Sequence, residues 1–197
     1  MKHIYLLLCS LIGMAVQSNA QSAWRIEPGK YIGKTTIGAT GEKLSQQLGR
    51  PDGGDAAMGK AWSIWYGRDK NKQIDSAHYL AVYLQRRHPD GPDMLIKQIR
   101  INTTSFKTLV GIKVGTPLHG IKRAFPYLKQ VAVYEDTHTG KRITLYDDKK
   151  RGIAFEMTGD ANAANPICSA ITVHQPGAGV GEEYISFPAY DQYKKIE

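Results

Sequence analysis

The sequence predicts an α+β fold in which two helix-plus-antiparallel-sheet repeats form one sheet with helices on one face. Residues 32–51 (IGKTTIGATGEKLSQQLGRP) can be aligned with residues 109–126 (LVGIKVGTPLHGIKRAFP), so that Leu44 meets Ile121, 77 residues further on. Several segments of strand-like composition follow each copy. Self-similarity at a fixed offset is typical of repeated structural units. A helix before each set of strands gives the predicted class.

The first twenty residues predict a cleavable export signal. Lys2 precedes an apolar run over residues 4–16, and Ser18-Asn19-Ala20 supplies a small-x-small cleavage site. We therefore expect residues 1–20 to be a signal peptide cleaved near Ala20, and the mature chain to be periplasmic or secreted. The run is shorter than the roughly 20 residues that span a bilayer as a helix, and no later segment is longer. No transmembrane segment is expected.

Cysteine usage indicates a fold that is held together by packing. Cys9 follows three leucines rather than small residues, which disfavours the alternative of a lipid-bearing cysteine. Cys168 is then the only thiol of the 177-residue mature chain, so an intramolecular disulfide cannot form. Its apolar neighbours predict that Cys168 is buried and unreactive.

The net charge favours anionic partners. It is +8 for the whole chain and +7 without Lys2, from 25 basic and 18 acidic residues. Such an excess suits a phosphorylated glycolipid, an anionic membrane surface or an acidic protein. The basic residues occur in short clusters such as Lys149-Lys150-Arg151, where lysines also protect strand edges, so a generally basic surface is the alternative. Export argues against nucleic acid as a partner.

The first repeat is predicted within residues 21–106. A helix over Glu42–Leu48 begins after Thr40 or Gly41 and ends at Gly49. Strands are predicted over residues 61–66, 78–85 and 95–102, with glycine-rich or polar loops between them.

The second repeat is predicted within residues 107–176. Thr116-Pro117 starts a helix that ends at about Ala124, because threonine can cap a helix and proline suits its first position. Strands are predicted over residues 130–135, 142–146, 152–157 and 167–174. Residues 177–197 form a C-terminal tail. Its glycine-rich start is predicted to be a flexible turn, and residues 183–187 are a further strand candidate.

Short apolar motifs in the first repeat carry a resemblance to a known family. They are Ile37-Gly38, Leu44, Leu48, Gly49 and Pro51, followed by the strand pattern Ile96, Ile99 and Ile101. They resemble the small outer-membrane-assembly lipoproteins of the BamE/SmpA type, in which a helix packs on a three-stranded antiparallel sheet. Two such units in tandem are similar to the β-lactamase-inhibitor protein (BLIP-like). The resemblance implies a fold whose known members bind other proteins.

Strand alternation predicts which side chains lie on the sheet face that no helix covers. We expect aliphatic residues such as Ile64 and Ile143 to face the helices and large aromatic or polar residues to face away. The candidate binding residues are Trp65, Tyr79, Tyr83, Arg100, Tyr134, Tyr146 and His174. Such residues contribute most to interface energy, so an exposed face of this kind indicates a protein loop, a peptide or an envelope glycan as ligand. The alternative is an ordinary solvated sheet face, on which tyrosine is common.

Catalytic and metal-binding patterns are weak. The histidines of the mature chain show no i,i+4 or His-x-His pairing, and one cysteine gives no zinc pattern, so no metal or cofactor is predicted. Cys168 and His174 would share one face of a strand but lie about 20 Å apart, too far to exchange a proton. The sequence therefore predicts an exported, non-enzymatic protein-binding or inhibitor-like module. The alternatives are an envelope enzyme of the hydrolase type, with a site assembled from sequence-distant residues, and a structural envelope-assembly accessory protein.

Overall fold

The computed structural model describes residues 23–88, 91–159, 165–180 and 193–197. The expected signal peptide and the candidate strand at residues 183–187 lie outside them. Of the described residues, 51% are in strands and 10% are in two helices. The predicted α+β class of helix-plus-sheet repeats is therefore wrong, because the described chain is mostly β, with a nine-stranded antiparallel sheet and a smaller second sheet. Within these ranges no helix has the length and apolar character needed to cross a membrane.

The described elements are as follows. The strands are β1 (Arg25–Glu27), β2 (Tyr31–Ile32), β3 (Thr35–Thr36), β4 (Gly53–Ala57), β5 (Lys60–Arg68), β6 (Ile74–Arg86), β7 (Met94–Ile101), β8 (Lys107–Thr108), β9 (Lys129–Asp136), β10 (Arg142–Asp148), β11 (Ile153–Gly159), β12 (Ile167–His174) and β13 (Tyr193–Lys195). The helices are α1 (Gly41–Leu48) and α2 (Leu118–Ala124).

The nine-stranded sheet has the order β13-β9-β10-β11-β12-β7-β6-β5-β4. Its middle pair is β7 with β12, in which Ile101 lies opposite Ile171 and Gln98 lies opposite His174. In the second half of β7, Ile99 and Ile101 alternate with Gln98 and Arg100, as a strand with two different faces requires. No strand was predicted over the glycine-rich segment of β4, but pairing with β5 extends the sheet there. Tertiary pairing thus overrides a weak local preference.

The smaller sheet has the order β3-β2-β1-β8. β1 pairs antiparallel with β2 and parallel with β8, so that Ile26 lies opposite both Ile32 and Thr108. Ile26 and Ile32 are buried in the same hydrophobic cluster as residues of the large sheet. The N-terminal strands are therefore joined by β-sheet pairing to β8, in the segment that follows β7.

Both helices form where the sequence predicts them, but they are short. In α1 the backbone N–H of Lys43 donates to Thr40 Oγ1 at 3.3 Å, and Gly49 ends the helix at a φ of 74°. The buried side chain of α1 is Leu44 and that of α2 is Ile121. A two-turn helix with one buried side chain covers part of a sheet face but does not define a repeat. This is the physical reason for the wrong fold class.

The large sheet has a hydrophobic cluster on each face. On the helix face, buried residues of both helices pack with strands near the middle of the sheet. They include Leu44, Ile121, Phe125, Val82, Ile99, Ile101, Phe155 and Ile171. On the opposite face, Ile143 of β10 belongs to one buried cluster with Tyr83 of β6 and Trp62 of β5. β10 and β6 are four positions apart, which would separate them by about 19 Å in a flat sheet. The sheet therefore curls toward this face, which we call the concave face.

Candidate functional site

In β5 and β10, the side chains lie on the opposite faces of the sheet from those predicted. Trp65 and Tyr146 pack against the helix-face cluster, whereas Ile64 lies with Trp62 in the concave-face cluster and Ile143 joins them there. The predicted faces of these residues in β5 and β10 are therefore wrong. Both faces of the sheet bury apolar side chains, so the apolar character of a residue does not show which face it occupies.

The other five candidate residues occupy the concave face, but that face is not open as expected. Tyr83, Arg100 and His174 have exposed fractions of 0%, 3% and 1%. Tyr79 and Tyr134 are partly buried beside the same cluster. The expected exposure is wrong for the first three because the sheet curls. Side chains that would face solvent on a flat sheet are here enclosed.

A buried ion pair lies in the middle of the concave face. Arg100 Nε donates to Glu156 Oε1 and Arg100 Nη2 donates to Glu156 Oε2, each at 2.6 Å. The third nitrogen, Nη1, donates to the hydroxyl of Tyr79, whose ring centroid lies 5.0 Å from the guanidinium carbon. Both charged side chains are 4% exposed. A bidentate pair fixes the orientation of both groups and satisfies charges that would be costly to bury separately.

The pair also affects a neighbouring tyrosine. Burial, and to a lesser degree the negative charge of Glu156, raises the pKa of the Tyr134 hydroxyl. Tyr134 therefore stays a neutral hydrogen-bonding group over a wider pH range than an exposed tyrosine does.

A second polar contact lies where β12 meets the end of β10. His174 Nε2 lies 2.9 Å from Asp147 Oδ1, and His174 Nδ1 lies 3.0 Å from the carbonyl oxygen of Gln175. The other Asp147 oxygen accepts from the backbone N–H of Val180 at 3.0 Å. Both ring nitrogens of His174 are therefore engaged, and the contact of Nε2 with Asp147 connects the C-terminal end of β12 to β10.

Cys168 is buried, as predicted, at 1% exposure. Burial, with a smaller contribution from Glu156, raises the pKa of its thiol far above the usual range. A register shift in the β11–β12 pairing places Cys168 in the helix-face cluster with Val173. The expectation that Cys168 and His174 share one face is therefore wrong, because the shift breaks the simple alternation of β12.

Four tyrosines frame the concave face, and we call them the rim tyrosines. Tyr66, Tyr79, Tyr134 and Tyr193 come from β5, β6, β9 and β13, and all four are partly buried against the cluster that contains Trp62. The sequence analysis missed Tyr66 and Tyr193. The alternation of Trp62, Ile64 and Tyr66 in β5 could have indicated the first of them, whereas Tyr193 lies in a tail with no strand pattern.

One buried acceptor on the concave face lacks a hydrogen bond in the described structure. Gln98 lies on β7 opposite Tyr83 and His174 and is 2% exposed. Its Oε1 atom accepts no hydrogen bond. Buried polar atoms in proteins are nearly always paired, so this atom is an exception within the described part of the chain.

A separate pocket of about 380 Å3 lies where four chain segments meet. We call it the turn pocket. Its lining residues are Glu27, Pro28, Thr108, Leu109, Val110, Ala124, Phe125 and Arg151. Arg151 Nη1 donates to the carbonyl of Ala124 at 2.9 Å, and the guanidinium carbon lies 5.4 Å from the centroid of the Phe125 ring. The pocket therefore has mainly apolar walls and one basic side chain at its edge.

No family model, curated protein or solved structure matches this chain. The resemblance to BamE/SmpA-like and inhibitor-like proteins therefore stays a sequence-based prediction. Among the described residues, the acidic, histidine and cysteine side chains form no group of three or more that could hold a metal ion.

Proposed function

We propose that this chain is an exported, non-enzymatic protein-binding module that uses the rim tyrosines, at the edge of the enclosed concave face, as its contact surface. The observation that carries the proposal is the convergence of Tyr66 and Tyr79 with Tyr134 and Tyr193, which come from opposite ends of the curled sheet. Tyrosine buries a large area, keeps a polar tip and loses little side-chain entropy on binding, so it is common at interface hot spots.

Rigidity supports the same proposal. The rim tyrosines stand on paired strands, and the ion pair of Arg100 and Glu156 fixes the surface beneath them. A preorganised surface loses less entropy on binding than a mobile one.

The main alternative is an envelope enzyme of the hydrolase type. Such an enzyme needs a nucleophile or a base that can exchange protons with its substrate. His174 contacts Asp147 and Gln175 through both ring nitrogens, and Cys168 lies on the opposite face with a raised thiol pKa. These contacts fit structural roles, so the binding proposal is favoured. A structural accessory of envelope assembly and a glycan-binding module remain as outcomes of the experiment below.

Affinity capture from envelope extract, followed by a binding titration with the captured partner, tests the proposal. The variants are Tyr66→Ala and Tyr193→Ala. The matched control is Tyr31→Ala, which removes a partly buried tyrosine of the small sheet. We expect each rim variant to weaken binding by about 2 kcal/mol, or roughly 30-fold, and the control to change it little. Urea unfolding of each variant shows whether it is folded under the conditions of the titration.

Three results would count against the proposal. One is equal binding by the rim variants and the control while all are folded. Another is retention of a glycan rather than a protein, with the same dependence on Tyr66. The third is hydrolytic turnover by the purified chain that Tyr66→Ala and Tyr193→Ala abolish, which would support the enzyme alternative.

A further inference from the structure

We propose that the turn of residues 108–111 and the neighbouring turn of residues 149–151 form a docking surface for an anionic phospholipid bilayer. This surface is separate from the concave face, so the inference does not rest on the proposed function. The inference rests on exposed apolar side chains at the tip of a rigid turn and on an excess of basic side chains near them.

The apolar side chains are exposed together. Leu109 is 76% exposed, Val110 is 65% exposed and Tyr127 is 64% exposed. Leu109 and Val110 line the turn pocket with Phe125, which is two residues before Tyr127. Single exposed apolar residues are ordinary, but an exposed group of large ones indicates contact with a membrane or another apolar surface.

The turn that carries Leu109 and Val110 is held by its own hydrogen bonds. Gly111 N donates to the carbonyl of Thr108 at 3.0 Å, and Thr108 N donates to the carbonyl of Ile112 at 2.9 Å. Ile112 N also donates to Thr108 Oγ1 at 3.0 Å. The two apolar residues are therefore fixed at the tip of the turn, with most of their surface exposed to water. Little conformational entropy is lost when such a tip enters an interface.

Basic residues surround this tip. Between residues 101 and 134 the chain has five lysines and arginines and no aspartate or glutamate. Exposed Lys107 and Lys113 flank the 108–111 turn on both sides. On the neighbouring turn, Lys150 Nζ lies 5.8 Å from the centroid of the Tyr127 ring, and Arg151 borders the pocket. The carboxylate of Glu27, which also lines the pocket, lies 4.0 Å from Lys30 Nζ.

An anionic bilayer fits both features. Its acyl region accepts leucine, valine and tyrosine side chains at shallow depth, and its headgroups attract the surrounding lysines. An acidic protein would match the charge. An exposed leucine and valine at the tip of a turn favour the acyl region of a bilayer instead, because lipid chains can rearrange around them. A second copy of the chain would bring the same positive charge into contact with itself, which is unfavourable.

Vesicle co-sedimentation of the full chain tests this inference. The vesicles contain either phosphatidylcholine alone or phosphatidylcholine with roughly one third phosphatidylserine as the anionic lipid. Residues 1–22 contain an apolar run that is common to every variant, so the measured quantity is the difference between variants. The apolar test variant is L109S/V110S, and its control is I74S/I196S, which changes two other exposed apolar residues. The charge test variant is K113Q/K150Q, and its control is K43Q/K70Q, which also removes two exposed lysines.

We expect L109S/V110S to bind anionic vesicles at least tenfold more weakly than its control, because burial of one such side chain is worth about a tenfold change in an equilibrium. K113Q/K150Q should bind anionic vesicles at least fivefold more weakly than K43Q/K70Q and should not differ from it on neutral vesicles. The inference is wrong if either test variant binds like its control. It is also wrong if analytical ultracentrifugation shows self-association that L109S/V110S abolishes, because the surface would then bind a second copy.

Discussion

The buried ion pair of Arg100 and Glu156 gives the most direct test of the curled sheet. We consider Arg100→Met, which keeps much of the apolar stem and removes the guanidinium. The carboxylate of Glu156, whose side chain is only 4% exposed, would then lose both of the 2.6 Å hydrogen bonds that it accepts from Arg100. Removal of one member of a buried pair costs about 3–5 kcal/mol, because the remaining charge is left without compensation.

The double variant R100M/E156L should behave differently. Replacement of both partners by apolar side chains of similar size removes the uncompensated charge, and such exchanges are often neutral or stabilising. We expect the double variant to lie within about 1 kcal/mol of the wild type, with a coupling free energy of at least ~2 kcal/mol between the two sites. Tyr79→Phe serves as a control. It removes the tyrosine hydroxyl that accepts from Arg100 and should cost about 1 kcal/mol.

Urea unfolding measured by circular dichroism gives these free energies, provided that the m-value is the same in all variants. A second measurement follows from the charge of Glu156, which contributes to the raised pKa of Tyr134. In Glu156→Gln the Tyr134 pKa should move down, which a tyrosinate absorbance titration can detect. If Arg100→Met costs less than about 1 kcal/mol, the pair is solvated and the sheet does not enclose its concave face as described.

Three further predictions concern single sites. Cys168 should react with a thiol reagent only after unfolding, because it is 1% exposed and its thiol pKa is raised; rapid labelling of the native protein would contradict this. Two backbone amides of the following turn hold the pKa of Asp136 below its usual value of 3.8, so its stabilisation is present above that pH and is lost as the pH falls through the lowered pKa. Asp136→Asn should therefore be less stable than the wild type at neutral pH and should converge with it in acid, as urea unfolding at several pH values will show. Gly152→Ala should cost about 3 kcal/mol in the same assay, because the residue has a φ of 74° and its new Cβ would lie 2.4 Å from the carbonyl oxygen of His174. Gly140→Ala, with a φ of 67° and no neighbour within 4 Å, should cost only about 1–2 kcal/mol; equal costs would refute the steric argument.

Local sequence features predicted several elements well. Thr40 and Gly49 bound α1 as predicted, because caps and helix breakers act within a few residues. The helix α2 is also present, but Pro117 precedes it rather than being its first residue, and no side chain caps it. The β6–β7 and β11–β12 hairpins also lie close to the predicted strands. The fold class could not be predicted in the same way. The β4 segment, GGDAA, has no strand pattern of its own, and its place in the sheet depends on pairing with β5.

The candidate site was predicted less well than the strands that carry it. Over residues 98–101 of β7 and 171–174 of β12, aliphatic residues alternate with polar ones that include Arg100 and His174, so the pattern fixed the faces of these residues correctly. In β5, Trp62 and Trp65 are both large and apolar but lie on opposite faces. Strand alternation assigns a face only when the two sets of residues differ in polarity.

Curling of the sheet accounts for the burial and the composition of the concave face together. A flat nine-stranded sheet with helices on one side would leave Tyr83, Arg100 and Glu156 in water, where an ion pair contributes little to stability. Contact between Ile143 and the cluster on β5 and β6 requires these strands to approach each other across the face. Alanines at positions 81, 132, 154 and 170 on this face are buried, and their small side chains leave room for that approach. Some of the large polar side chains are then enclosed and hydrogen-bonded to each other, as in the ion pair of Arg100 and Glu156. The four rim tyrosines lie instead at the edge of the face, where they are only partly buried. The same curvature therefore produces the buried ion pair that we expect to measure by unfolding and the tyrosine rim that we propose as the binding surface.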